Sequence, residues 1–139
     1  MIKRVLIVGY GSIGKRHARL ARNLLPHANI IIFRHKASKK IKYPHVDHCV
    51  TNLKDAIKHR PQIAIIANPA TLHVKIAYTL AKLGIHLLIE KPISNSSKNV
   101  SNLINFCRKK KIVLMIGYNL RFMTSLKKLR EILKKNIIG

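Results

Sequence analysis

A chain of 139 residues is long enough for one hydrophobic core and short for two, so a single domain is expected. Lysine and arginine number 28 against 4 acidic residues, and a net charge of +24 attracts polyanions. The basic residues are spread along all the helical segments and aromatics make up only 5%, which excludes a dedicated recognition element; non-specific, salt-sensitive binding is what remains, with no specific nucleic-acid partner.

Apolar runs such as Ile63 to Ala67 and, broken by His86, Ile85 to Ile89 fall far short of the roughly 20 residues a membrane span needs, so no membrane partner is expected. Cys49 and Cys107 stand far apart without CxxC or Cys/His ligand spacing. Neither a metal site nor a disulfide framework follows from them, and two reduced thiols suit a cytoplasmic protein.

Val5 to Gly14 reads VLIVGYGSIG, a β-branched run of strand length that breaks into Gly9, Gly11 and Gly14. Lys15 to Leu25 then supplies strong helix formers with apolar residues on one stripe. A GxGxxG spacing alone also arises in ordinary turns, but here strand, turn and helix follow in order, as a dinucleotide-binding unit requires. Gly9 permits the tight turn, Gly11 lets backbone approach a pyrophosphate, and Gly14 lets the helix lie close on the strand. The amides of Ser12 and Ile13 point at the phosphates from the positive end of the helix.

After Pro26, Ala28 to Arg34 is a second strand. In dinucleotide folds an acid at the end of this strand selects NAD, whereas arginine suits the extra phosphate of NADP. This chain has no acid there: Arg34, His35 and Lys36 follow Phe33, with Ser38, Lys39 and Lys40 close behind. NADP is therefore the expected cofactor, with NAD the alternative, the competing explanation being a merely solvated basic loop.

Val46 to Val50 reads as a short third strand, and Thr51 or Asn52 caps a helix from Leu53 to His59 that stops at Pro61. Gln62 to Ala67 is a fourth strand ending in Asn68-Pro69, after which Thr71 caps a helix from Leu72 to Leu83 with Gly84 as its stop. Ile85 to Ile89 is a fifth strand, apolar but for His86, as a strand buried on both faces should largely be. Ser94 to Ser97 introduces a helix reaching Lys109, Val113 to Ile116 is a sixth strand, and Thr124 to Lys135 a last helix. The alternation predicts an α/β doubly wound parallel sheet of the Rossmann type. Its ligands bind beyond the carboxyl ends of the strands, where Asn68-Pro69, Glu90-Lys91-Pro92 and Gly117-Tyr118-Asn119 all fall.

Glu90-Lys91 places an acid and a base side by side at the end of a buried strand. A partly desolvated ammonium exchanges protons near neutral pH, and a neighbouring carboxylate positions it or binds a ribose hydroxyl. The tripeptide taken alone fits an exposed ion pair equally well, and His73 alone fits a helix histidine without a ligand.

Taken together, GYGSIGKRH (Gly9 to His17), ANPATLH (Ala67 to His73), EKP (Glu90 to Pro92) and GYNLRF (Gly117 to Phe122) resemble the Gfo/Idh/MocA family of NAD(P)-dependent oxidoreductases. The resemblance implies that Gly9, Gly11, Ser12, Ile13 and Gly14 bind pyrophosphate, that Asn68, Pro69 and His73 lie by the nicotinamide half, and that Glu90 helps hold the cofactor. It implies further that Lys91 is the catalytic proton-transfer residue and that Asn119 and Arg121 border the active site.

Members of the family transfer hydride to or from a secondary alcohol or ketone of a sugar, inositol or nucleotide sugar. They normally continue into a sheet-rich substrate domain. The expectation is thus a dinucleotide-binding domain over residues 1–120 and, over 121–139, a helix leading into a domain that this chain lacks. The sugar-like substrate then requires a second domain, for example on a partner chain. The alternative is a non-catalytic dinucleotide-binding module or an inactive truncated remnant.

Overall fold

The structure is a computed structural model that describes residues 1–36 and 43–136. Among these, β1 (Arg4–Val8), β2 (Asn29–Phe33), β3 (His48–Val50), β4 (Ile63–Ile66), β5 (His86–Ile89) and β6 (Leu114–Ile116) form one sheet in the order β3-β2-β1-β4-β5-β6, every pair parallel. The connecting helices are α1 (Ser12–Leu24), α2 (Leu53–Lys58), α3 (His73–Ala81), α4 (Val100–Lys109) and α5 (Thr124–Lys134). This is the expected doubly wound Rossmann architecture, its order reversing between β1 and β4.

Alternation along the strands divides the core in two. Leu6, Val8, Ile31, Phe33, Ala64, Ile66, Leu87 and Ile89 face α2, α3 and α4 together with Ala77, Leu80 and Leu103. Val5, Ile7, Ile30, Ile32 and Ile65 turn to the opposite side, where Ala18 and Ala21 of α1 cover them. That second face is thinly covered beyond β4: Leu88 is only half-buried and Met115 is exposed. No residue of α5 is buried, and its Leu126, Leu129 and Leu133 lie open to solvent.

Two helix starts differ from expectation. Thr71 does not cap α3; it sits inside a 3-10 turn over Ala70–Leu72 that opens when the Leu72 amide donates to the Pro69 carbonyl at 2.9 Å, and the α-helix begins only at His73. The serines at 94–97 do not begin α4, because their hydroxyls compete for the backbone: Ser94 Oγ accepts from the Ser96 amide and Ser96 Oγ from the Lys98 amide, each at 3.2 Å. The chain then turns through Asn99 at φ +63° before α4 starts at Val100. Elsewhere the caps agree, with Asn52 Oδ1 accepting from the Asp55 amide at 2.8 Å and Gly84 ending α3 at φ +77°.

Candidate functional site

Register brings the loops together. Val50, Phe33, Val8, Ile66, Ile89 and Ile116 form one level row across all six strands. The ladder runs one step beyond it, with Gly9 N–H donating to Phe33 O, Ala67 to Val8, Glu90 to Ile66 and Gly117 to Ile89, at 2.8 to 2.9 Å. The glycine turn, the basic loop, Asn68, the Glu90-Lys91 pair and the Gly117 segment therefore leave the sheet at the same height, on one edge.

At the centre is the turn after β1. Gly9 adopts φ +93°, and a Cβ there would stand 2.8 Å from the Ala67 carbonyl oxygen, so the bend and its approach to β4 both demand glycine. Gly14 lies directly on Gly9, and a Cβ on it would collide with the Gly9 carbonyl. Gly11 is different, since nothing lies within 4 Å of where its Cβ would be. The space in front of it is open, and α1 begins there with no side-chain cap and no acid in its first turn. The first-turn amides of Ser12 and Ile13 have no carbonyl of their own helix to donate to. A pyrophosphate fits this arrangement in charge and in space.

A groove of about 440 Å3 runs from this turn past the end of β2 to Asn68 and Pro69, lined also by Phe33, Arg34, His35 and Lys36 and by no carboxylate. The Arg34 guanidinium lies 5.5 Å from the centre of the Tyr43 ring, which meets Tyr10 edge-on at 5.4 Å. Tyr10 in turn donates its hydroxyl to the Pro44 carbonyl at 2.7 Å, and burial pushes that hydroxyl's pKa up, so it remains a donor. His35 is exposed at the rim, edge-on to Phe33. Ser38, Lys39 and Lys40 lie outside the described residues.

Asn68 is half-buried and its Oδ1 is the buried side-chain oxygen left without a hydrogen-bond partner among the described residues. A buried acceptor without a donor is costly unless a ligand supplies one. The His73 side chain is buried beneath the edge, 2% exposed. Its Nε2 meets the Asn68 carbonyl at 2.7 Å and its Nδ1 the Pro92 carbonyl at 3.0 Å, so the ring ties two site loops together and does not line the groove.

The Glu90 carboxylate pairs with His17, not with the Lys91 ammonium. His17 Nε2 donates to Glu90 Oε1 at 2.7 Å and the Lys91 amide to Oε2 at 3.3 Å, while Lys91 itself is exposed. Gly117 completes the seat, because any Cβ there would press to 3.1 Å from the carboxylate carbon and both its oxygens. A second groove, about 330 Å3, passes Ile13, His17, Glu90, Lys91 and Asn119. Asn119 thus reaches the site, whereas the Arg121 guanidinium lies 5.5 Å from the Phe122 ring on the exposed 3-10 turn Asn119–Phe122. Among the described residues no group of three His, Cys, Asp or Glu side chains is placed to hold a metal.

Three contributors were not singled out from the sequence as site residues: Tyr10, His17 and Gly117. All stand within segments that carried the signal, GYGSIGKRH and GYNLRF. Their roles depend on partners 34, 73 and 27 residues away, as the Tyr10–Pro44, His17–Glu90 and Gly117–Glu90 contacts show.

Comparison with known proteins agrees with this geometry. Residues 3–118 match the family model of the Gfo/Idh/MocA oxidoreductases, described as "Oxidoreductase family, NAD-binding Rossmann fold". The uncharacterized oxidoreductase YrbE of Bacillus subtilis is 28% identical over 147 residues, covering 100% of this chain and 42% of its own length. The myo-inositol 2-dehydrogenase of Thermotoga maritima is 29% identical over 75 residues, 54% of this chain and 22% of that protein.

Among solved structures, myo-inositol 2-dehydrogenase from Lactobacillus plantarum superposes with a TM-score of 0.84 at 21% identity, covering 100% of this chain and 43% of that one. Scyllo-inositol dehydrogenase from Lactobacillus casei, solved with bound NAD(H) and scyllo-inositol, gives 0.82 at 20% identity, with 100% and 43% covered. The chain spans less than half the length of these relatives. It belongs to the Gfo/Idh/MocA oxidoreductase family, of which it carries the NAD-binding Rossmann fold.

Proposed function

We propose that this chain binds NADP, in preference to NAD, across the carboxyl edge of its sheet as the cofactor half of a hydride-transferring oxidoreductase. The observation that carries the reading is the open space in front of Gly11, flanked by uncapped helix amides and level with four polar loops. Gly9, Gly11, Ser12, Ile13 and Gly14 cradle the pyrophosphate. Arg34 and His35 face the adenosine 2′-phosphate, a choice supported by a groove with three basic residues and no carboxylate. Asn68 and Pro69, braced by His73, receive the nicotinamide half, and the unpartnered Asn68 Oδ1 awaits a donor there. Glu90 supports that end, and Asn119 and Arg121 border it.

The nicotinamide supplies the hydride chemistry. Lys91 is the catalytic residue in this reading, moving a proton to or from the hydroxyl of a sugar, inositol or nucleotide-sugar secondary alcohol. Its exposure at the sheet edge suits a group that a second domain closes over. That domain occupies residues beyond the 1–120 unit, in the same polypeptide or on a partner chain, and holds the substrate in reacting geometry. The unpaired thiols Cys49 and Cys107 suit a reducing compartment, and we place the protein in the cytoplasm. No described helix is long and apolar enough to cross a membrane.

The test is a calorimetric titration with NADPH and NADH at low and at moderately high salt. Saturable NADPH binding that survives salt and exceeds NADH binding supports the reading. No binding, or binding to both that vanishes with salt, overturns it.

A further inference from the structure

We propose that His17, which lies on the phosphate-binding helix, is the positioning residue for the nicotinamide end of the site and acts through Glu90. The inference rests on the dinucleotide reading above and assigns that reading a residue outside the groups expected to touch the cofactor.

The Glu90 carboxylate has two oxygens and both are spent inside the protein: Oε1 on His17 Nε2 at 2.7 Å and Oε2 on the Lys91 amide at 3.3 Å. The His17 and Glu90 side chains are only 17% and 20% exposed, so this charge-assisted bond is sheltered from water and holds one geometry. Gly117 presses on the carboxylate from the far side, leaving room for no side chain between. Glu90 is thereby seated from α1, from its own backbone and from the end of β6.

The consequence runs along α1. Gly14 is pinned to the Gly9 carbonyl, and His17, three residues on, reaches the end of β5. One rigid helix therefore connects the turn that receives pyrophosphate to the strand end that presents Lys91. Loss of His17 leaves a half-buried carboxylate without its donor, and that carboxylate must rotate toward Lys91 or toward water, displacing the loop at the nicotinamide end. The pyrophosphate turn, held by Gly9 and Gly14, stays in place.

This separates two ligand halves that a general structural defect would not. NADH carries the nicotinamide ring and ADP-ribose does not, while both carry the pyrophosphate and both riboses. Binding of each to the full chain is measured for wild type, His17→Leu, His17→Gln, Glu90→Gln and the His17→Leu/Glu90→Gln double variant, with thermal melts in parallel. His17→Leu is expected to weaken NADH about tenfold, the loss of one charge-assisted hydrogen bond, and ADP-ribose less than about twofold. His17→Gln, whose amide reaches the same oxygen, recovers most of the loss. The double variant loses no more than Glu90→Gln, because the two residues act as one unit.

Equal loss of both ligands, unchanged NADH binding, or additive losses in the double variant overturns the proposal and leaves the dinucleotide reading standing. A wild-type chain that binds none of NADH, ADP-ribose and NADPH overturns both; where NADPH alone binds, NADPH and 2′-phospho-ADP-ribose take their places in the same comparison. Should His17→Leu fail to fold, Glu90→Gln carries the same comparison, and equal weakening of NADH and ADP-ribose by it overturns the proposal.

Discussion

Gly14 packs backbone to backbone on Gly9, so closely that a methyl group on Gly14 would occupy the place of the Gly9 carbonyl oxygen. Gly11, between them in the same motif, faces nothing within 4 Å. In the proposed reading one motif thus contains a folding glycine, Gly14, and a binding glycine, Gly11. Gly14→Ala is expected to destabilise the fold by about 1–3 kcal/mol, the usual cost of overpacking a rigid contact, read as a lower urea midpoint. Gly11→Val should melt close to wild type yet bind NADPH at least about tenfold more weakly, since its side chain enters the space of the pyrophosphate. A Gly11→Val chain that binds NADPH as wild type does refutes the glycine-turn assignment.

In the proposed reading, cofactor choice is made at the end of β2. Arg34→Ala should weaken NADPH about tenfold, one charge-assisted contact, while NADH changes little. Parallel fluorescence titrations with the two nucleotides check this, and equal weakening would mean that Arg34 serves the loop through Tyr43 and not the 2′-phosphate.

Asp47 holds three segments at one point. Its Oδ2 accepts from Arg22 Nη2 at 2.5 Å and from the Ile30 amide at 2.7 Å, and Arg22 Nη1 also donates to the Pro26 and Ala28 carbonyls at 2.7 and 2.9 Å. Asp47→Ala leaves the Ile30 amide without this acceptor beside a buried strand. A loss of about 1–2 kcal/mol in urea unfolding is expected, kept small because both side chains are partly solvated.

Burial pushes the Cys107 thiol's pKa up, and burial does the same at Cys49 against the opposing pull of the Tyr43 hydrogen bond and the Arg34 charge. A raised folded-state pKa keeps the thiol neutral, and the thiolate is the nucleophile. Iodoacetamide at neutral pH should label Cys107 far more slowly in the native chain than in urea. The sign for folding follows: these thiols favour the folded state below the ordinary thiol range and disfavour it as the pH rises through and above that range. Rapid native labelling of Cys107 would contradict its 2% exposure.

Asp47, Asp55 and Glu131 lie in ion pairs with Arg22, Lys58 and Lys128, and Glu90 accepts a hydrogen bond from His17. The net +24 already counts all four, so the remaining positive charge has no acid to offset it. The chain should bind single-stranded oligonucleotides of unrelated sequence equally, with an affinity that falls steeply and log-linearly with salt. Anisotropy titrations at several salt concentrations check it, and a strong preference for one sequence would overturn the non-specific reading.

The alternation of strand and helix, the break of an apolar run into Gly9, Gly11 and Gly14, and a helix cap at Thr51 or Asn52 were all legible in the amino-acid order, because local periodicity and turn chemistry act over a few residues. The starts of α3 and α4 were less so, since Pro69 and the serines at 94–97 each offer the backbone a local alternative to an α-helical turn. The sequence by itself determined a parallel doubly wound sheet and the side on which its loops gather. Only the tertiary structure decided that Glu90 belongs to His17 and not to Lys91, that His73 is spent bracing two carbonyls, and that Gly117 leaves room for a carboxylate. Those outcomes depend on parallel register, which levels Val8, Ile66, Ile89 and Ile116 across separations of tens of residues. No local pattern encodes such a height: it is set by the packing of whole strands and helices, and so is every contact made at that edge.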